Sequence, residues 1–230
     1  DGIIWAVPEV GHNRNWITSN SPANSFPMVY LAMEPRDDIM VVSIDNYLGG
    51  RMAVNHLFEQ GYRHIGHVAG PMDWWEAQQR MVGWKDALSS LNSETETNKW
   101  TEGNWSSASG AQALEKLFAQ YPEMDAVFVG NDQMALGVIQ VATQMGLRIP
   151  DDLGIVGFDN IPESAYFSPP LTTVQQDQYT IGQVAVEQII RIIESNVEEL
   201  QPERSNTFVL STALVVRQSS LRLKEVKQDQ

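Results

Sequence analysis

The stretch that decides the fold is AVFVGNDQMALGVIQVATQM at residues 126–145. Its first four residues are continuously apolar, which is typical of a strand buried on both faces of a sheet. Asn131 is a residue type that often caps helices, and apolar residues recur at helical spacing over 134–145 until Gly146 ends the helix. A buried strand that leads directly into a helix is the repeating unit of a parallel α/β sheet.

The same alternation of apolar runs and helical stretches extends along the whole chain. Apolar runs predict strands at 1–7, 26–33, 39–44, 64–69, 126–129, 153–158 and 208–216. Helical spacing predicts helices at 48–60, 76–91, 106–120, 134–145 and 179–195. The predicted fold class is therefore α/β, with parallel sheets and right-handed crossovers. Residues 221–230 are polar and are expected to form a flexible tail.

Composition limits the classes of function. The 230 residues contain 15 Lys plus Arg and 29 Asp plus Glu, a formal net charge of −14. A surface this acidic is not expected to bind nucleic acid or an anionic membrane through charge. The chain has no cysteine, which excludes disulfides and thiolate metal sites. No apolar run approaches the roughly 20 residues that span a bilayer.

The beginning of the chain predicts further sequence upstream. Residue 1 is not Met, and DGIIWAV at 1–7 leads directly into what the apolar pattern predicts is a buried strand. Domains rarely begin inside a core strand, so we expect sequence before Asp1. The lack of a signal peptide or of a DNA-binding segment here then says nothing about the whole protein.

Polar and aromatic side chains follow the predicted strands at their carboxyl ends. In open parallel sheets ligands bind beyond those ends, so these side chains are expected to converge. Carboxylates and amides suit vicinal hydroxyls, an arginine can bridge two hydroxyls or grip an anion, and flat aromatic faces pack on sugar rings. The combination predicts a polyol or sugar site. Its candidate residues are Asp45, Trp74, Arg80, Trp105, Asn131 and Asp159.

Each candidate also has a purely structural alternative. Asn131 can cap the following helix, and Asp159 can belong to a turn. Trp74 can fill a hydrophobic gap or a dimer contact, and Arg80 can pair with a surface carboxylate. Signatures of a nucleophile elbow, a P-loop and a dinucleotide fold are absent, which disfavours an enzyme, although a carboxylate pair for glycoside chemistry stays an alternative. The scattered histidines predict no metal site.

The same residues carry a resemblance to a known family. The chain resembles, from residue 1 to about residue 220, the effector-binding core of the LacI/GalR family of bacterial transcription regulators. The motifs that carry this resemblance are DNxxGGxxA at 45–53, HLxxxGYRxI at 56–65, AGP at 69–71, RxxGW at 80–84, GNWS at 103–106, GNDQMALG at 130–137, VGFDN at 156–160, PLTTVxQ at 170–176 and LVVR at 214–217.

The resemblance implies a periplasmic-binding-protein-like fold of type I, in which three crossovers join two Rossmann-like subdomains around an effector cleft. One subdomain would hold 1–44 and 178–206, incomplete at its start, and the other 45–177 and 207–220. It further implies a cytoplasmic homodimer that binds a small-molecule effector, a sugar or sugar derivative, without a cofactor. Operator DNA would be bound through an N-terminal head absent from this chain, and no membrane is involved.

Matched residue by residue, the resemblance implies that Arg80, Asn131 and Asp159 contact the effector and that Trp105 stacks on it. The resemblance also implies that the effector-binding core couples ligand binding to operator affinity by a rearrangement of its two subdomains.

The other side of the expected cleft departs from the family pattern. Ala6 and Ala32 stand where polar contacts are expected, Gln178 replaces an aromatic residue, and Ile181 keeps an apolar contact. A different effector, larger or less hydroxylated, is therefore expected. The alternative function is a secreted solute-binding protein for sugar uptake, which shares the fold, but NDQMA at 131–135 and PLTTV at 170–174 favour the regulator.

Overall fold

Two β-sheets organise the part of the chain that the structure, a computed structural model, describes: residues 1–17, 26–91, 96–194 and 207–222. Within these residues the first sheet has four strands in the order β1-β2-β3-β9, and every neighbouring pair is parallel. Its strands are β1 (Ile3–Trp5), β2 (Met28–Leu31), β3 (Val41–Ile44) and β9 (Thr207–Leu210).

The second sheet is larger. Within the described ranges it has six strands in the order β10-β8-β7-β6-β4-β5, parallel except for the antiparallel pair of β8 and β10. Its strands are β4 (Ile65–Ala69), β5 (Trp100–Glu102), β6 (Ala126–Val129), β7 (Gly154–Asp159), β8 (Thr172–Gln175) and β10 (Ala213–Val215).

In the described part of the chain, α-helices follow five of the parallel strands, β3, β4, β5, β6 and β8. The predicted α/β class with parallel sheets is confirmed. Among the described residues the chain passes between the two sheets three times, after β3, after β8 and after β9, which agrees with the three crossovers expected. The helices are α1 (Asn46–Glu59), α2 (Trp75–Ser90), α3 (Ser107–Gln120), α4 (Asp132–Gln144) and α5 (Gln178–Glu194).

The second sheet is buried on both faces because helices cover each of them. Val127 and Val129 of β6 pack into the core beneath α3 and α4. Ala126 and Phe128, which alternate with them, pack into the core beneath α1 and α2. This two-sided burial explains why β6 is continuously apolar in sequence instead of alternating with polar residues.

Helix α5 covers one face of the first sheet. Its Ala185 and Ile189 pack with Val29 and Val42 in a separate apolar cluster. None of the helices in the described part of the chain is both long and apolar enough to cross a bilayer.

The prediction of one strand at 208–216 is wrong. Thr207–Leu210 pairs in parallel with β3 in the first sheet, whereas Ala213–Val215 pairs with β8 in the second. Residues 207–210 therefore belong with the first sheet and not, as predicted, with residues 45–177. The backbone hydrogen bonds to β3 decide this, because an apolar run does not specify its partner strand.

The beginning of the chain differs from expectation. The strand near residue 1 is not buried: it forms the edge of its sheet, and Ile3 and Ile4 are 43% and 37% exposed. At the other end, within the tail predicted from residue 221, the Arg222 guanidinium lies 4.6 Å from the centre of the Tyr62 ring and 3.7 Å from an Asp125 carboxylate oxygen. The rest of that tail, 223–230, lies outside the described residues, as does 195–206 of the predicted first subdomain.

Candidate ligand-binding cleft

Three adjoining cavities lie where the carboxyl ends of strands from the two sheets meet. We call the one of about 450 Å³ the aromatic chamber. The second, of about 390 Å³, is the apolar chamber, and the third, of about 340 Å³, is the outer chamber. The aromatic chamber is lined by Trp74, Glu76, Arg80, Trp105, Asn131, Gln133, Asp159 and Gln176. Five of the six residues predicted from strand ends thus lie together.

Two indole rings form one wall of the aromatic chamber. The rings of Trp74 and Trp105 lie 5.5 Å apart between centres at an angle of 71°, an edge-to-face pair. Trp105 has a positive φ of 70°, which turns its ring over Gly70. A Cβ at Gly70 would collide with that ring, so the glycine is what allows the indole to lie here.

Arg80 is buried in the floor of the chamber and is already satisfied by internal partners. Its Nε donates to Asn46 Oδ1 at 2.9 Å, and its Nη1 donates to the carbonyl oxygen of Gly130. Its guanidinium carbon lies 3.7 Å from the centre of the Phe158 ring. Burial lowers the pKa of Arg80, and the nearby Asp159 carboxylate opposes that change. Arg80 therefore holds the floor of the chamber together, in addition to being a candidate ligand contact.

Asp159 ends β7 and points its carboxylate at the same floor. Oδ1 lies 3.8 Å from Arg80 Nη1 and accepts a hydrogen bond from the Gln176 amide. The residue has a positive φ of 109°, which is uncommon for a non-glycine residue and marks a backbone held by its surroundings. Burial raises the pKa of Asp159, although Arg80 and Gln176 both favour the ionised form.

Asn131 has the structural role that the sequence left open. Its Oδ1 accepts the Met134 N–H at 2.9 Å and so caps α4. Its Nδ2 donates to the Trp105 carbonyl at 3.1 Å and to Gln133 Oε1 at 2.8 Å. The cap therefore also holds the backbone of the stacking residue at the chamber wall.

Asp132 lies behind the chamber and holds the loop that follows β7. It is fully buried, accepting the Thr173 hydroxyl at 2.6 Å and the Ile161 N–H at 2.9 Å. Burial raises the pKa of Asp132 to about 7, against the opposing effect of those two hydrogen bonds. Arg217 holds the same loop from the other side by donating to Asn160 Oδ1 at 2.8 Å.

The apolar chamber contains the residues expected to depart from the family pattern. Gln178 and Ile181 of α5 line it together with Ala6 and Ala32. Glu76 and Gln176 line both this chamber and the aromatic one, so the two spaces adjoin at these side chains.

Asp45 is placed away from the other candidates. It lines the outer chamber, and its Oδ1 accepts the Leu48 N–H at 2.7 Å, which caps α1. Its position after β3 of the first sheet explains this, because the other candidates follow strands of the second sheet. Asp45 thus caps a helix, as Asn131 does, although among the candidate residues the sequence raised capping only for Asn131.

Backbone hydrogen bonds close one side of the cleft. Gly11 N–H donates to the Asp73 carbonyl at 2.6 Å, and Trp75 N–H donates to the Glu9 carbonyl at 3.1 Å. These bonds join the segment after β1 to the start of α2, and so connect the first sheet to the helices of the second.

Three residues that line the aromatic chamber were not among the sequence candidates: Glu76, Gln133 and Gln176. Glu76 lies four residues before Arg80, hence on the same face of α2, and this spacing was an available signal. Gln176 directly follows β8, so the strand-end rule also applied to it. Within the described residues no group of three or more His, Asp or Glu side chains could hold a metal ion.

Comparisons with known proteins agree with this architecture. The family described as "Periplasmic binding protein-like domain" matches residues 54–220. The HTH-type transcriptional repressor PurR of Aliivibrio salmonicida is 38% identical over 209 residues, which are 88% of this chain and 62% of that protein.

Two solved structures share the fold. A complex of the transcriptional regulator CelR with cellobiose matches with a TM-score of 0.80 and 28% identity, over 95% of this chain and 65% of that one. A lac repressor dimer bound to operator and an anti-inducer matches with a TM-score of 0.84 and 28% identity, over 96% and 64%. The chain spans about three fifths of the length of its curated relatives. It belongs to the family of periplasmic binding protein-like domains, and its relatives there are transcriptional repressors.

Proposed function

We propose that this chain is the effector-binding and dimerisation core of a LacI-type transcription regulator, and that its effector is a sugar or a related polyol. The observation that carries the proposal is the aromatic chamber, in which the Trp74 and Trp105 rings lie beside the Asp159 carboxylate and the Gln133 amide. Indole faces suit the apolar side of a sugar ring, and carboxylates and amides suit its hydroxyls. The CelR complex with cellobiose supports this class of ligand.

The effector acts by changing how the two halves of the chain are arranged. We assign residues 1–44, 178–206 and 207–210 to one subdomain and 45–177 with the rest of the described chain to the other. A ligand in the adjoining chambers contacts both, because Gln178 and Ile181 belong to the first and Trp105 and Asp159 to the second. A ligand that binds one arrangement better shifts the population toward it. In a dimer that shift changes operator affinity.

The other expectations follow the same proposal. The operator is bound by a head outside these 230 residues, because the net charge of −14 opposes phosphate binding here. The regulator is cytoplasmic, has no cofactor and is not an enzyme, as its repressor relatives suggest. The lac repressor dimer supports a homodimer. A solute-binding protein for sugar uptake is the less favoured alternative, because the curated relatives are repressors.

Trp74→Ala tests the proposal with little risk to the fold, since the indole is half-buried at the cleft. We expect ligand affinity to fall at least about tenfold, as stacked aromatic contacts contribute on the order of 1 kcal/mol beyond buried area. Isothermal titration calorimetry with hexoses and disaccharides measures it. The control is Tyr166→Ala, which removes an 89% exposed ring outside the chambers. Equal affinity in both variants would contradict the site, and no binding by the unmodified chain would contradict the ligand class.

A further inference from the structure

Glu76 occupies the junction of the aromatic and apolar chambers. It lies in the first turn of α2 and lines both spaces. Its Oε2 atom is buried and has no hydrogen-bond partner among the described residues. A buried polar atom left unpaired costs free energy, so a carboxylate oxygen of this kind on a cavity wall needs a reason.

A second unpaired oxygen lies in the same cleft. Ser43 is 3% exposed, its Oγ is buried without a partner in the described part of the chain, and it lines the apolar and outer chambers. The two oxygens come from opposite sides of the cleft. Ser43 belongs to β3 of the first sheet, and Glu76 belongs to α2, which packs on the second sheet. A ligand between the sheets that carries hydrogen-bond donors can satisfy both atoms.

The charge of the cleft restricts what that ligand can be. Four carboxylates line the three chambers, those of Glu34, Asp45, Glu76 and Asp159, against the single guanidinium of Arg80. Arg80 already donates to internal partners, so it offers little to an anion. A phosphorylated or carboxylated ligand would enter against a net negative lining, whereas a cation would be attracted.

We propose that the effector carries a protonated amine and that the Glu76 carboxylate binds this amine at the junction of the chambers. The inference rests on the proposed function, since the hydroxylated ring of the same ligand occupies the aromatic chamber. An ammonium group supplies three donors and a positive charge, so it pairs the Oε2 oxygen and offsets the acidic lining. A hydroxyl would pair the oxygen but leave the charge in place.

The electrostatics of the unliganded cleft agree with this assignment. Burial raises the pKa of Glu76. Arg80, one turn along α2, and a hydrogen bond from the backbone of Glu76 itself oppose the rise, whereas Asp159 and Glu9 add to it. The ionised carboxylate is therefore less favourable in the folded chain than in water. A bound cation stabilises the ionised carboxylate and so offsets this unfavourable free energy.

Calorimetry with matched pairs of sugars tests the inference: glucose and glucosamine, galactose and galactosamine, mannose and mannosamine. At about pH 6.5, below the usual pKa of amines, the amino sugars are cationic. For a pair that binds, we expect the amino sugar to bind at least about tenfold more tightly than its neutral partner, the scale of a charged hydrogen bond. Glu76→Gln should abolish that preference. Glu115→Gln, which removes the same charge from the exposed face of α3, should keep it.

Different outcomes separate this inference from the proposed function. If neutral sugars bind as tightly as amino sugars, or Glu76→Gln keeps the preference, the amine is wrong while the sugar site stands. If no sugar of either kind binds, both proposals fail.

A measurement without ligand tests Glu76 separately. Because the buried Oε2 atom has no partner among the described residues, Glu76→Gln should raise the thermal midpoint of the unliganded chain near neutral pH, by about 2 °C or more. A fall in the midpoint would show that internal partners already satisfy Glu76, which would overturn the inference.

Discussion

Arg80 shows at the residue scale why a candidate contact is not always a good probe. Its guanidinium donates to Asn46 and to the Gly130 carbonyl and packs on Phe158. Replacing it with alanine would leave two buried acceptors unpaired, which costs roughly 1–3 kcal/mol each. If such a variant lost ligand binding, the loss of a ligand contact could not be separated from the loss of fold stability. The Trp74 side chain makes no hydrogen bond to the described residues and packs edge-to-face on Trp105, so Trp74→Ala changes the cleft without leaving a buried acceptor unpaired.

Asp132 gives the chain a pH-dependent stability. Because its pKa is about 7 when folded, the folded state keeps a proton that the unfolded chain releases near pH 4, the ordinary carboxyl value. The free energy of unfolding should therefore fall as pH rises from about 4 to about 7. Asp132→Asn removes this titration, and its unfolding free energy should fall less over that range. Urea unfolding at several pH values measures the difference.

The same measurement can contradict the raised pKa of Asp132. If the variant and the unmodified chain lose equal unfolding free energy between those pH values, Asp132 is ionised throughout. In that case its hydrogen bonds from Thr173 and Ile161 outweigh burial.

At the scale of elements, paired glycines let crossing helices approach closely. A Cβ at Gly83 of α2 would collide with the Tyr47 carbonyl of α1, and one at Gly50 of α1 would meet the Arg80 carbonyl of α2. The close packing of α1 on α2 fixes the start of α2, from which Trp74 and Glu76 reach the chambers. The position of α2, which carries Glu76 and Arg80, thus depends on Gly50 and Gly83 having no side chain.

Gly83→Ala should lower the free energy of unfolding by about 1–3 kcal/mol, the usual cost of overpacking, because the colliding atom is backbone. The matched control is Gly182→Ala in α5, where a new Cβ meets nothing within 4 Å. Alanine there should raise the unfolding free energy by about 0.5–1 kcal/mol. Chemical denaturation measures both. Equal effects at the two positions would contradict the packing.

Most elements could be predicted from the sequence because their signals are local. The buried strand at 126–129, the Asn131 cap and the helix after it follow from apolar spacing and residue type. The break between β9 and β10 falls at the polar pair Ser211 and Thr212, but which sheet each half joins could not be predicted, since tertiary hydrogen bonds decide it. The exposure of β1 likewise depends on which strands lie beside it.

The site was predictable to the extent that sheet geometry decides it. Strand ends of the second sheet bring Asn131 and Asp159 to one chamber, and Arg80 of α2 lines the same chamber. Asp45 follows a strand of the other sheet and lines the outer chamber instead. Glu76 escaped prediction because its importance comes from an unpaired oxygen at a junction of cavities, which depends on both sheets at once.

At the scale of the whole molecule, the cleft lies between two sheets that three chain crossings connect. Backbone bonds between the segment after β1 and the start of α2 close one side of it. The formal net charge of −14 disfavours the binding of nucleic acid by this part of the protein. The central claim is that the ligand lies in this cleft.

A crystal structure of this chain with the tightest-binding sugar of the calorimetric panel tests that claim most directly. We predict a ring packed against Trp74 and Trp105, with hydroxyls within hydrogen-bond distance of Asp159 and Gln133, and contacts to α5 from the other side. A sugar bound elsewhere on the surface, with the three chambers unchanged, would contradict it.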